Sequence, residues 1–164
     1  MIDLSDEKKR RIAFHEAGHA WMLEREGLVV RSVSINPPVS IQGDNRGETV
    51  PEKTMEEGRK EISDKFVRAA LAGSAAEHYL LGSWDKDGLL ASAYDTGRAR
   101  SYLAMTGNDW KPEAMTHYVQ ALSISVMEEI SQPKAWHAIT SLAYELLESG
   151  TLTGEKVARI LADR

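Results

Sequence analysis

The chain contains no cysteine. That absence excludes a disulfide framework, a cysteine nucleophile and a zinc site built on thiolates, and it fits a reducing compartment such as the cytoplasm. Long apolar runs are missing as well. The most apolar window, residues 66–81, is broken by Arg68, Glu77 and His78 and falls short of the roughly 20 apolar residues that a membrane-spanning helix needs. The opening Met1-Ile2-Asp3-Leu4-Ser5-Asp6 lacks the basic start and apolar stretch of a secretory signal. Positive charge is not in excess: 20 Lys plus Arg stand against 25 Asp plus Glu, a formal net charge of −5, which argues against a nucleic acid or a membrane surface as partner. The one basic run, Lys8-Lys9-Arg10-Arg11, follows Asp6 and Glu7 inside a helical pattern and reads as a solvated helix face.

The 164 residues present match the length of one domain. A domain of about 150 residues buries roughly 68–70% of its unfolded surface, so neither metal nor disulfide is required for folding, and a bound metal would serve chemistry. The pattern predicts a mainly α single domain over residues 1–164, with one small β-strand or hairpin element beside its first helix. That helix covers 5–26, with Ser5 as N-cap and Gly27 in the left-handed position past its end. A strand follows in 28–35, where Val29, Val33 and Ile35 fall on alternate positions. Residues 36–53, with three Pro and two Gly, read as a loop or irregular hairpin. A capping box, Thr54-x-x-Glu57, opens a second helix that stops at Gly82. Its stretch Ala72-Gly73-Ser74-Ala75-Ala76 is small enough for another helix to approach closely. A third helix is expected from near Ser92 to Gly107, a fourth from Pro112 to about Ser131, a fifth from Pro133 to Gly150, and a last short one capped by Thr153.

Chemistry concentrates in His15-Glu16-Ala17-Gly18-His19. Four residues apart on a helix, the two imidazoles lie about 40° apart around the axis and one turn along it, so both can reach one metal ion. Glu16 is ~100° around from His15 and suits a different task, reaching a water held by that ion. Zinc lowers the pKa of a bound water toward ~7, a carboxylate accepts the proton, and the same ion polarises a carbonyl for attack. Ala13, Phe14, Ala20, Trp21, Met22 and Leu23 bracket the motif, which marks the helix as buried. A third ligand is needed. His78, His117 and His137 stand alone on later helices and read as surface or core histidines. Among carboxylates, Glu77, Asp85, Asp87 and Asp95 are all open by composition, and Asp95 is favoured by its place near the start of the third helix, where the helix dipole stabilises the ionised form.

In order along the chain, these residues resemble the peptidase domain of the FtsH-type ATP-dependent zinc metalloproteases. Arg11 to Ala20 is similar to that family's active-site helix, and Val33-Ser34-Ile35-Asn36-Pro37 to the strand and proline after it. Leu71 to Glu77 resembles its Gly-x-Ala-Ala-Glu segment, and Ala93-Tyr94-Asp95 with Arg98-Ala99 the stretch that supplies an aspartate ligand. Leu146-Leu147-Glu148 with Thr151 to Glu155 resembles its C-terminal signature. Ser74 and Pro38 depart from the family, which usually has Arg there, as does Tyr94, where Asn is usual.

The resemblance implies Zn2+ held by His15, His19 and Asp95, with Glu16 as general base and Glu77 at most supporting a ligand from behind. It implies a zinc-dependent endopeptidase acting on flexible or unfolded polypeptide. No Gly-x-x-x-x-Gly-Lys-Ser/Thr phosphate loop is present, so the expectation is a free-standing peptidase, ATP-independent by itself, without an ATPase module or membrane anchor. The alternatives are a proteolytic subunit working with a separate ATPase partner and a non-catalytic metal-binding regulator; a homo-oligomer is compatible with each. The strand around Val33 has two open readings, an edge for an extended substrate backbone or a purely structural strand.

Overall fold

Residues 4–36, 47–55, 60–83 and 93–163 are described in this computed structural model. The chain order is α1 (Leu4–Arg25), β1 (Val30–Ser34), β2 (Glu48–Pro51), α2 (Lys60–Leu81), α3 (Ala93–Ala104), α4 (Pro112–Ile130), α5 (Pro133–Ser149), β3 (Thr151–Thr153) and α6 (Gly154–Ala162). The mainly α architecture with a small β element beside α1 is as expected, and that element gains a third strand.

Apart from the half-buried His15, every residue of α1 from Ala13 to Leu23 is buried, so this helix is a core element rather than a surface one. It begins one residue ahead of the expected cap at Ser5. Its end is as expected: Gly27 takes φ 76°, and the amides of Gly27 and Leu28 turn back onto the carbonyls of Glu24 and Leu23. α2 and α5 flank α1, and α3 and α4 pack on the other side of α2. Among the described residues two apolar clusters result. Phe14, Met22, Val33, Ile139, Leu142 and Leu152 belong to the larger one around α1, while Val67, Leu71, Ala99, Leu103 and Val119 form the smaller one among α2, α3 and α4. α2 therefore presents Ala69, Ala72 and Ala76 to one core and Val67, Ala70 and Leu71 to the other. The Lys8 to Arg11 run is exposed as expected, although Arg10 lies over the Phe14 ring and Arg11 pairs with Glu77.

The sheet contains the expected hairpin and departs from expectation in two ways. β2 forms within 36–53, the segment read as a loop or irregular hairpin, whereas β3 forms from three residues too few to show a period. Both pair antiparallel with β1, in the order β2-β1-β3. β1 is thus the central strand, and of its two readings the structural one holds, because β2 and β3 occupy both its edges. The alternation also slips: Val30 is buried and Val29 is exposed, because the pairing with β2 shifts register between Val30 and Ser32. Thr153 caps α6 as expected, accepting from the Lys156 amide at 3.2 Å. Glu57, the second half of the expected capping box, lies outside the described residues. Among the described residues no helix is long and apolar enough to cross a membrane.

α1 approaches the backbone of α2 closely at Gly18. A Cβ there would stand 2.5 Å from the Ala72 carbonyl oxygen and 2.7 Å from the Ala76 Cβ, with no flexible side-chain end to give way. Gly18→Ala should therefore destabilise the metal-free protein by about 2 kcal/mol net, since overpacking of about 3 kcal/mol outweighs the ~1 kcal/mol that alanine gains in a helix interior. Urea denaturation reads this directly, and an unchanged or raised midpoint would contradict the close approach.

Candidate metal centre

Three elements meet over the buried middle of α1. His15 and His19 project from one face of that helix, and their Nε2 atoms lie 3.1 Å apart. Asp95, in the first turn of α3 and 1% exposed, brings Oδ2 to 3.3 Å from His15 Nε2 and Oδ1 to 3.5 Å from His19 Nε2. The far side of each ring is held by α2. His19 Nδ1–H donates to the Ala69 carbonyl at 2.7 Å, and His15 Nδ1–H donates to Glu77 Oε2 at 3.1 Å. Glu77 Oε1 in turn accepts from Arg11 Nε and Nη2 at 2.9 and 2.6 Å. Because a carbonyl and a carboxylate only accept, both imidazoles carry a proton on Nδ1 and turn Nε2 toward the shared centre.

Glu16 leaves α1 in another direction, toward the sheet. Its Oε2 accepts from Thr49 Oγ1 on β2 at 2.6 Å, and the same hydroxyl lies 3.2 Å from the Glu16 carbonyl oxygen. Two glycines clear space for these side chains. A Cβ on Gly73 would fall 2.3 Å from His19 Nε2, and one on Gly47 would fall 2.3 Å from Glu16 Cγ.

The electrostatics follow from crowding acceptors out of water. Burial disfavours a charge on His15, yet its hydrogen bonds to Asp95 and Glu77 and the nearby carboxylate charges outweigh that and push it up to about 10. Burial likewise disfavours ionised Asp95, but the charges and hydrogen bonds of His19 and His15 hold it far below the usual carboxylate range. For Glu77, the bonds from His15 and Arg11 overcome burial and bring it down to about 2. Two imidazole lone pairs and a carboxylate facing one point call for a cation between them.

His15, His19 and Asp95 are the group of described residues that could hold a metal, with one ligand atom from each within 4.8 Å of the others. The separations suit zinc. Legs of about 2.0–2.1 Å in a tetrahedron imply edges of about 3.3–3.4 Å, against 3.1 Å between the two Nε2 atoms and 3.3 Å from His15 Nε2 to Asp95 Oδ2 here.

Of the other residues considered from sequence, Glu77 stands behind His15 rather than in the group, and His78 meets Ser83 Oγ at 2.8 Å at the end of α2. His117 and His137 lie on α4 and α5 and are not in the group. Asp85 and Asp87 lie outside the described residues. Thr49, the Ala69 carbonyl and the space at Gly73 escaped the sequence reading. Gly73 alone carried a local signal, because a glycine inside a helix costs about 1 kcal/mol and calls for a reason.

No protein-family model matches the chain. It is 30% identical over 181 aligned residues to "ATP-dependent zinc metalloprotease FtsH 2" of Symbiobacterium thermophilum, a match that covers 95% of this chain and 30% of that protein. It is 36% identical over 86 residues to "ATP-dependent zinc metalloprotease FtsH" of Thermobaculum terrenum, covering 49% of this chain and 12% of that one. The chain thus spans less than a third of the length of the curated relatives it matches.

The Gly73 geometry generates a prediction that separates site from fold. In Gly73→Ala the new methyl must displace the His19 ring from the position its Ala69 bond defines, while the helix gains propensity. Zinc affinity should fall at least tenfold with the fold retained, as a competition titration and circular dichroism would show. Wild-type affinity in Gly73→Ala would mean that the described His19 orientation is not the one that binds.

Proposed function

We propose that this chain is a zinc-dependent endopeptidase of the FtsH type, a single metallopeptidase domain that hydrolyses flexible or unfolded polypeptide without ATP of its own. The observation that carries this reading is the convergence of His15 Nε2, His19 Nε2 and the Asp95 carboxylate, with Glu16 held beside them by a different element. The likeness to two proteins named as zinc metalloproteases supports it. Two imidazoles and one carboxylate form the usual three-ligand set of a catalytic zinc, which leaves a position for water.

Zinc bound there supplies a Lewis acid that makes a water molecule acidic near neutral pH and polarises the scissile carbonyl. The chain's own residues do the rest. His15 and His19 bind in the orientation that Glu77 and the Ala69 carbonyl impose, so no ring has to turn before it can ligate. Asp95 brings the negative charge that a dication requires in a dry site. Glu16 takes the proton from the attacking water and returns it to the leaving amine. Thr49 holds Glu16 Oε2, which fixes the carboxylate against β2. The outer edge of β2, on the side away from β1, is where an extended substrate would add as a further strand next to the base.

Glu16→Gln tests the reading. It should keep zinc and fold yet lose 10²–10⁴-fold in peptide hydrolysis, because an amide cannot accept the proton. Unfolded casein with and without ATP is the assay, alongside elemental analysis. Near-wild-type cleavage would assign the base elsewhere, and a wild-type protein that holds zinc but cleaves nothing would point to a regulator. Chelation should abolish wild-type cleavage and zinc should restore it; activity that survives full metal removal would overturn the proposal.

A further inference from the structure

Ser74 has no role in the scheme above, yet its hydroxyl touches the site. It lies on α2 in a row of small residues, Ala72, Gly73, Ala75 and Ala76, where packing asks only for small volume. Alanine would meet that demand with better helix propensity. The serine instead donates its hydroxyl to Asp95 Oδ2 at 2.5 Å, and both residues are buried, Ser74 at 3% and Asp95 at 1% exposure. That length falls in the range of a hydrogen bond from a hydroxyl to an ionised carboxylate.

The torsion that orients an aspartate carboxylate is broad and roughly two-fold, so what its oxygens touch decides which way it faces. Each oxygen of Asp95 faces one ring, Oδ2 at 3.3 Å from His15 Nε2 and Oδ1 at 3.5 Å from His19 Nε2. The Ser74 hydroxyl binds Oδ2. We infer that Ser74 is a positioning residue for the metal centre: by engaging Oδ2 it fixes the Asp95 carboxylate and keeps it a one-oxygen ligand, preserving a coordination position for water. This rests on the zinc reading of His15, His19 and Asp95. Without the hydroxyl, the carboxylate can turn and offer both oxygens, which raises the coordination number and occupies the place where water binds.

The test uses the whole protein as wild type, Ser74→Ala and Ser74→Thr. Unfolding of the metal-free form, zinc affinity by competition with a chelator, and the visible spectrum of the cobalt(II)-substituted protein are measured for each. Wild type should take up one metal ion with a four-coordinate cobalt spectrum. Ser74→Ala should fold with a metal-free midpoint close to wild type, bind zinc about 10–100-fold more weakly, and shift to the weaker visible absorption of a higher-coordinate cobalt. Ser74→Thr, which retains the hydroxyl, should restore both affinity and spectrum. Wild-type affinity and spectrum in Ser74→Ala would overturn the inference, as would a loss confined to metal-free stability or a folded Ser74→Thr that binds no better than Ser74→Ala. Failure of wild type to bind zinc at all would instead overturn the reading of the site on which the inference rests.

Discussion

The approach of α1 to α2 across Gly18 is the constraint on which the rest of the molecule depends. With a bare Cα facing the Ala72 carbonyl and the Ala76 methyl, the two helices come close enough for short polar groups on one to reach rings on the other. The Ala69 carbonyl then meets His19, Glu77 meets His15, and the space at Gly73 receives the His19 ring. A pair of helices held further apart would leave the histidines free to choose rotamer and tautomer. Packing between two small-residue faces is here the source of order in the site.

The same geometry creates an electrostatic demand. Two lone pairs and a carboxylate are turned inward and kept from water, and their repulsion has to be answered by positive charge. In the metal-free site a proton on His15 answers it, which is why that ring is so much more basic than an ordinary histidine. A dication would displace the proton, so metal binding should release it to solvent. Arg11 extends the arrangement outward: its charge faces Glu77, so the carboxylate behind His15 is neutralised from its other side.

What could be read from the sequence was what local periodicity encodes. The helices announce themselves through capping residues, glycines and prolines, and His15, Glu16 and His19 through their spacing on one of them. Asp95 was favoured by its place at a helix start, and the structure brings it within reach of both histidines. The β component was legible only in part. β3 has three residues and exists because Ser32, Val33 and Ser34 are there to pair with it, and the register shift beside Val30 cannot be seen from alternation in one strand. Thr49 belongs to a segment rich in proline and glycine, and its link to Glu16 spans 33 residues. The Ser74 hydroxyl reads locally as one more small residue and gains its meaning from a carboxylate 21 residues away. Supporting contacts of this kind are products of the fold and leave little local trace.

The central claim is that α1 and α3 together hold a zinc ion between His15, His19 and Asp95. Diffraction from crystals of the purified protein, collected on either side of the zinc absorption edge, tests it most directly. One anomalous peak is expected, equidistant from the two Nε2 atoms and within bonding distance of the Asp95 carboxylate. Zinc-loaded crystals with no peak there, or with the peak at another cluster of side chains, would contradict it.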